Sequence, residues 1–226
     1  KFTIDSATGV LTFVSAPDFE SPTDGGGNNV YDVIVQVSDG ANTDTQAIAV
    51  TVTAVNDNSP VITSDGGGAS ASVNVAENAT AVTTVTATDA DAGSTLTYTI
   101  AGGADAAKFS IDSSTGVLTF VSTPDFEAPT DSGADNVYDV LVQVSDGANT
   151  DTQAIAVTVT AVNDNSPVIT SNGAGASASI NVAENATAVT TVTATDADAG
   201  STLTYTISGG ADSAKFSINS ATGVLT

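Results

Sequence analysis

The groups that could do chemistry in this sequence are almost all carboxylates. The 226 residues include 26 Asp and Glu against three basic side chains, no Cys and no His, and the net charge is −23 at pH 7. Without Cys or His there is no thiolate nucleophile, no Ser-His triad and no ordinary zinc, haem or iron–sulfur ligand set. An excess of carboxylates suits either simple solubility or the binding of a divalent cation such as calcium.

The positions of these carboxylates favour the cation. Acidic and Asn side chains form five short motifs, at Glu77, at Asp89 and Asp91, at Asp125 and Glu127, at Asp146, and at residues 163–165. Each motif falls in a loop or at the end of a predicted strand. Because strand ends gather at the two poles of a β-sandwich, these oxygens can converge there. Calcium takes six to eight oxygen ligands, so the motifs together predict calcium sites at the poles. Five other aspartates lie outside the motifs, and we expect them to be solvated: Asp24, Asp32, Asp44, Asp105 and Asp112.

The same acidic excess limits the partners. Nucleic acid requires a basic face, which three lysines cannot build, and an anionic membrane surface is disfavoured for the same reason. No apolar run approaches the roughly 18 residues that a membrane-spanning helix requires, so direct membrane insertion is not expected. Without Cys, no disulfide can stabilise the chain.

The elements that position the motifs belong to a long internal repeat. The segment that begins at Lys1 returns at Lys108 and Lys215, and residues 1–107 match residues 108–214 at 94 positions. A period of this length is that of a domain rather than of a short solenoid unit. Asn-Asp-Asn-Ser-Pro marks the boundaries, so we expect the C-terminal part of one repeat at 1–58, a complete repeat at 59–165 and the N-terminal part of another at 166–226. This organisation suggests a window from a longer array.

The repeat is predicted to be all-β. In residues 138–145, Tyr and Val alternate with Asp, Leu, Gln and Ser, as in a strand with one buried face, and the same alternation follows at Ile155, Val157 and Val159. Further short strands bring the number to seven in about 100 residues, which is typical of an immunoglobulin-like β-sandwich. No stretch has helical periodicity. The fold class expected is therefore a tandem series of seven-stranded immunoglobulin-like sandwiches linked end to end.

The order of the five motifs resembles that of the cadherin repeat, and the Phe-Ser-Ile-Asp-x-x-Thr-Gly-x-Leu segment at residues 109–118 is also similar to that family. The resemblance covers the whole chain, and the amino-acid composition, which is rich in Ala, Thr and Gly, is similar to that of the bacterial branch of the family. It implies calcium, two to three ions at each junction between repeats, held by the motif residues. The first junction would use Asp18, Glu20, Asn56, Asp57, Asn58, Asp89, Asp91 and Asp146. The second would use Glu77, Asp125, Glu127, Asn163, Asp164, Asn165, Asp196 and Asp198. Ala54 and Ala161 stand where the family usually has an Asp ligand, so one ion at each junction should lose a ligand.

The leading functional hypothesis is a calcium-rigidified adhesion or structural module of a bacterial surface protein or fibre, extracellular and not an enzyme. The expected partners are neighbouring repeats of the same chain, identical chains, or an extracellular polysaccharide. The alternative is a calcium-dependent polysaccharide-binding module, against which stand the aromatic content of 5% and the absence of Trp. A glycosidase with paired carboxylates is rejected, because the carboxylates follow a calcium pattern at the ends of the repeat.

Overall fold

The computed structural model describes residues 1–226, and it confirms the all-β prediction. The first segment of the chain forms four strands in two antiparallel pairs, β1 with β2 and β3 with β4. Their bounds are β1 Phe2–Ile4, β2 Leu11–Phe13, β3 Val30–Ser38 and β4 Thr43–Thr51.

The middle segment is a sandwich of a four-stranded sheet and a three-stranded sheet. Its strands are β5 Val61–Ile62, β6 Ser70–Ala76, β7 Ala81–Thr84, β8 Ala87–Thr88, β9 Thr97–Gly102, β10 Phe109–Ile111, β11 Val117–Phe120, β12 Val137–Ser145 and β13 Thr150–Thr160. The sheets have the orders β6-β13-β12-β9 and β10-β11-β7, and a further pair joins β5 to β8. β7 and β8 are separated only by Val85 and Thr86, and β5 and β6 by residues 63–69, so the nine strands correspond to the seven of the predicted sandwich with two of them interrupted.

The last segment has only short strands. They pair as β14 with β16 and β15 with β17. Their bounds are β14 Val168–Ile169, β15 Thr190–Thr191, β16 Ala194–Thr195 and β17 Val224–Leu225. Helical structure is confined to three 3-10 turns at Ser64–Gly66, Ala106–Lys108 and Ser213–Lys215.

Alternation along β12 and β13 builds the core of the middle segment. Tyr138, Val140, Val142 and Val144 are all buried on one face of β12. On β13 the residues Ile155, Val157 and Val159 are buried in the same way. The predicted buried face of each of these two strands is therefore confirmed, and burial of β-branched side chains on one face of a pleated strand is the main source of stability in such a sheet.

Gly116, in the turn before β11, lies against the residues between β7 and β8. Gly116 has a φ of +71°, and the Val85 N–H donates to the Gly116 carbonyl at 2.8 Å. A Cβ at Gly116 would lie 2.1 Å from the Val85 carbonyl oxygen, closer than any side chain can approach. The turn before β11 therefore requires glycine both for its backbone angle and for the space.

The chain divides into two compact units. The first comprises Lys1–Ser72, Thr83–Thr119 and Asp139–Ala156, and its buried residues include Ile62 and Leu118. The second comprises Val73–Val82, Phe120–Tyr138 and Val157–Thr226. In the second unit the rings of Phe120 and Tyr138 meet edge to face, with centroids 5.2 Å apart. The division of the sequence at 58 and 165 into repeats stays a prediction.

The expectation that Asp24 and Asp105 are solvated is wrong. Asp105 is buried, and its Oδ2 accepts a hydrogen bond from the Asp139 N–H at 2.9 Å. Asp24 is half-buried, and its carboxylate accepts N–H groups from residues 26, 28 and 29. Both carboxylates accept backbone N–H groups, and the Asp105 carboxylate does so in a buried setting, so their role is structural. Asp32, Asp44 and Asp112 are exposed, as predicted.

Candidate metal centre

Five carboxylates of the first compact unit gather into one cluster, which we call the first acidic cluster. Ligand oxygens of Glu20, Asp57 and Asp91 lie within 4.8 Å of one another, and so do those of Asp89, Asp91 and Asp146. Asp91 belongs to both groups. Glu20 follows β2, Asp57 precedes β5, Asp89 and Asp91 follow β8, and Asp146 follows β12. Strand ends thus bring together residues as far apart in sequence as Glu20 and Asp146, as predicted from the motif positions.

Local turns hold these carboxylates in place. Asp89 Oδ1 accepts the Asp91 N–H at 2.8 Å. Asp146 Oδ1 accepts the N–H groups of Ala148 and Asn149 at 2.7 and 2.6 Å. Turns of this kind arise because the short Asp side chain reaches the backbone two and three residues ahead. Each turn uses one carboxylate oxygen as an acceptor, and the second oxygen of the same carboxylate takes no part in the turn.

Three oxygens of the first acidic cluster have no hydrogen-bond partner within the protein. Glu20 Oε1, Asp89 Oδ2 and Asp146 Oδ2 are buried atoms without a hydrogen bond. A buried carboxylate oxygen without a donor or a cation is strongly unfavourable, and several close together repel one another. The donor set therefore fits a hard cation such as calcium, which prefers ionised oxygens of this kind.

Asn58 ties the linker, which is the Asn-Asp-Asn-Ser-Pro motif at residues 56–60, to this cluster. Its backbone N–H donates to Asp91 Oδ2 at 2.9 Å, and its Nδ2 donates to Asp91 Oδ1 at 2.8 Å. The Asn149 amide donates to the Asn58 carbonyl at 2.8 Å, and the Asn56 amide donates to the Asp146 carbonyl at 3.3 Å. The Asn-Asp-Asn motif thus binds the loops that carry the carboxylates.

The second compact unit carries a matching set, the second acidic cluster. Ligand oxygens of Glu77, Asp125 and Glu127 lie within 4.8 Å of one another, and so do those of Glu127, Asp164 and Asp198. Glu127 belongs to both groups, and its Oε1 is again a buried oxygen without a hydrogen bond. Each acidic cluster therefore presents at least one buried carboxylate oxygen that the protein itself does not satisfy.

Glu77 is anchored by backbone donors. It is buried, its Oε2 accepts the Phe126 N–H at 2.8 Å, and its Oε1 accepts the Val162 N–H at 2.6 Å. Phe126 lies in the Pro-Asp-Phe-Glu loop and Val162 lies next to the linker. One carboxylate thereby fixes two of the loops that supply the second acidic cluster.

Charge crowding is evident at Glu127. Burial raises the pKa of its carboxyl above the ordinary value, and the negative charges of Glu77, Asp198 and Asp125 raise it further. Asp198 behaves in the opposite way, because the Asn165 side-chain amide, 2.9 Å from Oδ1, holds the pKa of Asp198 below its ordinary value. The cluster thus holds anions together whose mutual repulsion would be relieved by a cation.

Asn165 occupies the place in the second acidic cluster that Asn58 has in the first. Its backbone N–H donates to Asp198 Oδ2 at 3.0 Å, and its Nδ2 also donates to Asp164 Oδ1 at 3.0 Å. The two residues stand one repeat apart in identical motifs. We call this arrangement, in which the backbone N–H and the side-chain amide of one Asn donate to the same Asp, the clamp. The same local sequence therefore produces the clamp twice.

Asp18 and Asp196 lie outside the groups of close carboxylates. Asp18 Oδ1 accepts the Glu20 N–H at 3.0 Å, and Asp196 Oδ1 accepts the Asp198 N–H at 3.0 Å. Asp18 matches Asp125, which lies in the second acidic cluster beside Glu77. Asp196 matches Asp89, which lies in the first acidic cluster beside Asp146.

Two asparagines of the site are absent from the sequence prediction. Asn78 has a φ of +64°, and its Nδ2 donates to Asp164 Oδ2. Asn149, described above, holds the Asn58 carbonyl. Asn78 directly follows Glu77, and Asn149 ends the loop that starts at Asp146, so adjacency to a predicted ligand is the signal that could have identified both.

Residues 71–162 match the family model of the cadherin domain. This range includes Glu77, Asp89, Asp91, Asp125, Glu127 and Asp146. The chain therefore contains a cadherin domain, and the resemblance inferred from the motif order is confirmed.

Relatives of known sequence and structure agree with this family. Over 155 residues the chain is 31% identical to human protocadherin-23, a match that covers 69% of this chain and 4% of that protein. The protocadherin gammaB7 EC3-6 cis-dimer structure is 26% identical and covers 99% of this chain and 55% of that chain, with a TM-score of 0.70. Mouse cadherin-23 EC22-24 is 25% identical and covers 99% of this chain and 70% of that chain, with a TM-score of 0.63. The chain thus spans a small part of the curated relative and about half of the first structure.

Among the helices of this chain, none has the length and apolar character needed to cross a bilayer.

Proposed function

We propose that this chain is a calcium-rigidified, extracellular adhesion or structural module of a bacterial surface protein or fibre. The observation that carries the proposal is the pair of acidic clusters, with three buried carboxylate oxygens in the first and one in the second that no protein donor satisfies. The cadherin domain supports calcium as the cation and an extracellular location. The Ala-, Thr- and Gly-rich sequence supports a bacterial source.

The proposed ligands follow from the clusters and the linker motifs. In the first cluster Glu20, Asp57, Asp89, Asp91 and Asp146 would hold the ions, with Asp18, Asn56 and Asn58 alongside. In the second cluster the ligands would be Glu77, Asp125, Glu127, Asp164 and Asp198, with Asn163, Asn165 and Asp196 alongside. We propose two to three ions at each junction. Ala54 and Ala161 offer no side-chain oxygen, so they favour the lower number.

The mechanism is electrostatic. Bound calcium would supply the positive charge that five crowded carboxylates lack. The chain's own residues supply the geometry: Asp turns aim one oxygen inward, and Asn58 and Asn165 fix the linker to Asp91 and Asp198. When repulsion within the cluster is relieved, the loops and the linker are held by shared ligands, and the linker loses its freedom to bend.

A non-catalytic role fits these features. The carboxylates are engaged in turns and in clusters at strand ends, and cadherin domains are adhesion modules rather than enzymes. We propose that neighbouring repeats and identical chains are the partners, and the cis-dimer of protocadherin gammaB7 supports association between like chains. Polysaccharide binding gains no support from the comparisons.

Small-angle X-ray scattering of the full chain tests the rigidification. We expect a larger maximum dimension and a narrower range of shapes in calcium than in a chelator. Asp91→Asn and Glu127→Gln should reduce the difference, whereas Asp44→Asn, which changes an exposed acid outside the clusters, should not. Identical profiles in calcium and in chelator for the unaltered chain would rule out this mechanism.

A further inference from the structure

One pair of adjacent residues in the last segment brings together an electrophile and a nucleophile. Asn172 is followed by Gly173, and no other Asn of the sequence precedes a Gly. The side-chain carboxamide of an Asn can be attacked by the backbone nitrogen of the next residue, which makes Asn one of the thermally labile residues of proteins. A Gly at the next position has no side chain to obstruct this attack and gives the backbone the freedom to reach it.

The turn that contains this pair leaves the nucleophile accessible. Asn172 lies just after β14 and is exposed, and Asp65, at the same place one repeat earlier, is exposed as well. The Gly173 N–H donates to no backbone acceptor. A Cβ built at Gly173 would have no atom within 4 Å beyond its chain neighbours. The attacking nitrogen is therefore unhindered and is not held in a backbone hydrogen bond.

A threonine hydroxyl is placed to assist the attack. Thr190 Oγ1, on β15, donates to Asn172 Oδ1 at 3.0 Å. When the Gly173 nitrogen attacks Asn172 Cγ, negative charge develops on this same oxygen. A hydrogen-bond donor fixed where charge develops lowers the barrier to reaction. The departing Nδ2 is held only by a long hydrogen bond to Ser171 Oγ, at 3.4 Å.

The middle segment shows that the product of the reaction fits this turn. Asp65 stands where the last segment has Asn172, and the two residues have φ values of +51° and +54°. Thr83, the counterpart of Thr190, donates its hydroxyl to both carboxylate oxygens of Asp65 at 3.1 Å. An aspartate therefore occupies the same backbone conformation and accepts the same hydroxyl.

We propose that Asn172 is a site of spontaneous deamidation. The Gly173 nitrogen loses its proton to solvent base and forms a bond to Asn172 Cγ. The bond from Cγ to Nδ2 then breaks, and ammonia leaves with a proton taken from water. Water opens the resulting succinimide, at Cγ to give aspartate or at the backbone carbonyl to give isoaspartate. The net reaction consumes one water, releases one ammonia and adds one negative charge, and it does not depend on the proposed calcium sites.

Peptide mass spectrometry of the full chain, stored at neutral and at mildly alkaline pH, tests the proposal. We expect conversion of amide to acid at Asn172, with aspartate and isoaspartate peptides of equal mass that elute separately. Conversion should be faster at alkaline pH, because the nucleophile is a deprotonated amide. Asn185 is the matched control: it is exposed and has a φ of +68°, but Ala follows it, so it should react about tenfold more slowly or less. Equal conversion at Asn172 and Asn185, or none at Asn172, would refute the proposal.

Variants near Asn172 separate the two contributions to its reactivity. Gly173→Ala obstructs the nucleophile and should slow conversion by about tenfold. Gly175→Ala is its control, because it changes a glycine of the same loop that takes no part in the reaction, and it should leave the rate unchanged. Thr190→Val removes the hydroxyl at nearly constant shape and should slow conversion severalfold. An unchanged rate in Gly173→Ala would overturn the assigned nucleophile, and an unchanged or faster rate in Thr190→Val would overturn the part assigned to the hydroxyl.

Discussion

Asn58 holds Asp91 by two hydrogen bonds, one from its backbone N–H at 2.9 Å and one from its side-chain amide at 2.8 Å. Asp91 is itself buried and belongs to both groups of close carboxylates in the first acidic cluster. A single linker residue therefore positions the carboxylate that connects the two halves of the site. Asn165 repeats the arrangement with Asp198.

Removal of this clamp should weaken the site. Asn58→Ala deletes the side-chain donor to a buried carboxylate, and we expect a loss of about 1–3 kcal/mol in the free energy of unfolding in chelator. Urea denaturation followed by circular dichroism measures the change. Thr152→Ala, at an exposed position, is the control and should have no measurable effect. Equal stability of Asn58→Ala and the unaltered chain would contradict the clamp.

Glu77 should be the most sensitive acid of the second acidic cluster. Glu77→Ala leaves the N–H groups of Phe126 and Val162 without an acceptor in a buried site, at a cost of about 2–5 kcal/mol. Glu184 occupies the same Val-Ala-Glu-Asn-Ala motif but is exposed, so Glu184→Ala is the matched control. Thermal unfolding should separate the two variants clearly. Equal melting temperatures would show that burial of Glu77 does not matter.

Two glycines in the same motif should respond differently to substitution. Gly9 and Gly116 have φ values of +74° and +71°, so Ala costs about 1 kcal/mol at either position from the backbone alone. At Gly116 the new Cβ would also meet the Val85 carbonyl, whereas Gly9 has nothing within 4 Å. We expect Gly116→Ala to lose about 3 kcal/mol or more in chemical denaturation. Similar losses for both variants would mean that the close approach at Gly116 relaxes without cost.

Acid should remove part of the stability that the Asp turns supply. The Thr115 N–H and then the Ser114 N–H hold the pKa of Asp112 below its ordinary value of 3.8. A carboxyl whose pKa is lowered on folding stabilises the protein above its unfolded pKa, and this contribution disappears as the pH falls through the folded value. Asp112→Asn keeps the acceptor oxygen, as natural Asn219 does in the last segment, but cannot titrate. In chemical denaturation across a pH series, the unaltered chain should have a larger free energy of unfolding than Asp112→Asn at pH 7. This difference in free energy should shrink below pH 4. A difference that stays constant with pH would contradict the stabilising role of the Asp112 carboxylate.

Patterns within one strand or one motif were sufficient to predict much of this molecule. The alternation at Tyr138, Val140 and Val142 identified a core strand, and the motif order identified the residues that the clusters bring together. Asp105 could not be assigned in this way, because the N–H that it accepts belongs to Asp139, 34 residues away in sequence. The amide of Asn149 likewise finds its acceptor at Asn58, 91 residues away. Long-range hydrogen bonds of this kind depend on how strands are placed, which no local pattern records.

Calcium binding by the clusters is the central claim, and isothermal titration calorimetry of the full chain tests it most directly. We predict saturable binding of two to three ions per junction to the unaltered chain. Asp91→Asn should reduce binding at the first acidic cluster and Glu127→Gln at the second, whereas Asp44→Asn should titrate like the unaltered chain. No saturable heat from the unaltered chain, or full binding by the Asp91→Asn, Glu127→Gln double variant, would contradict the account.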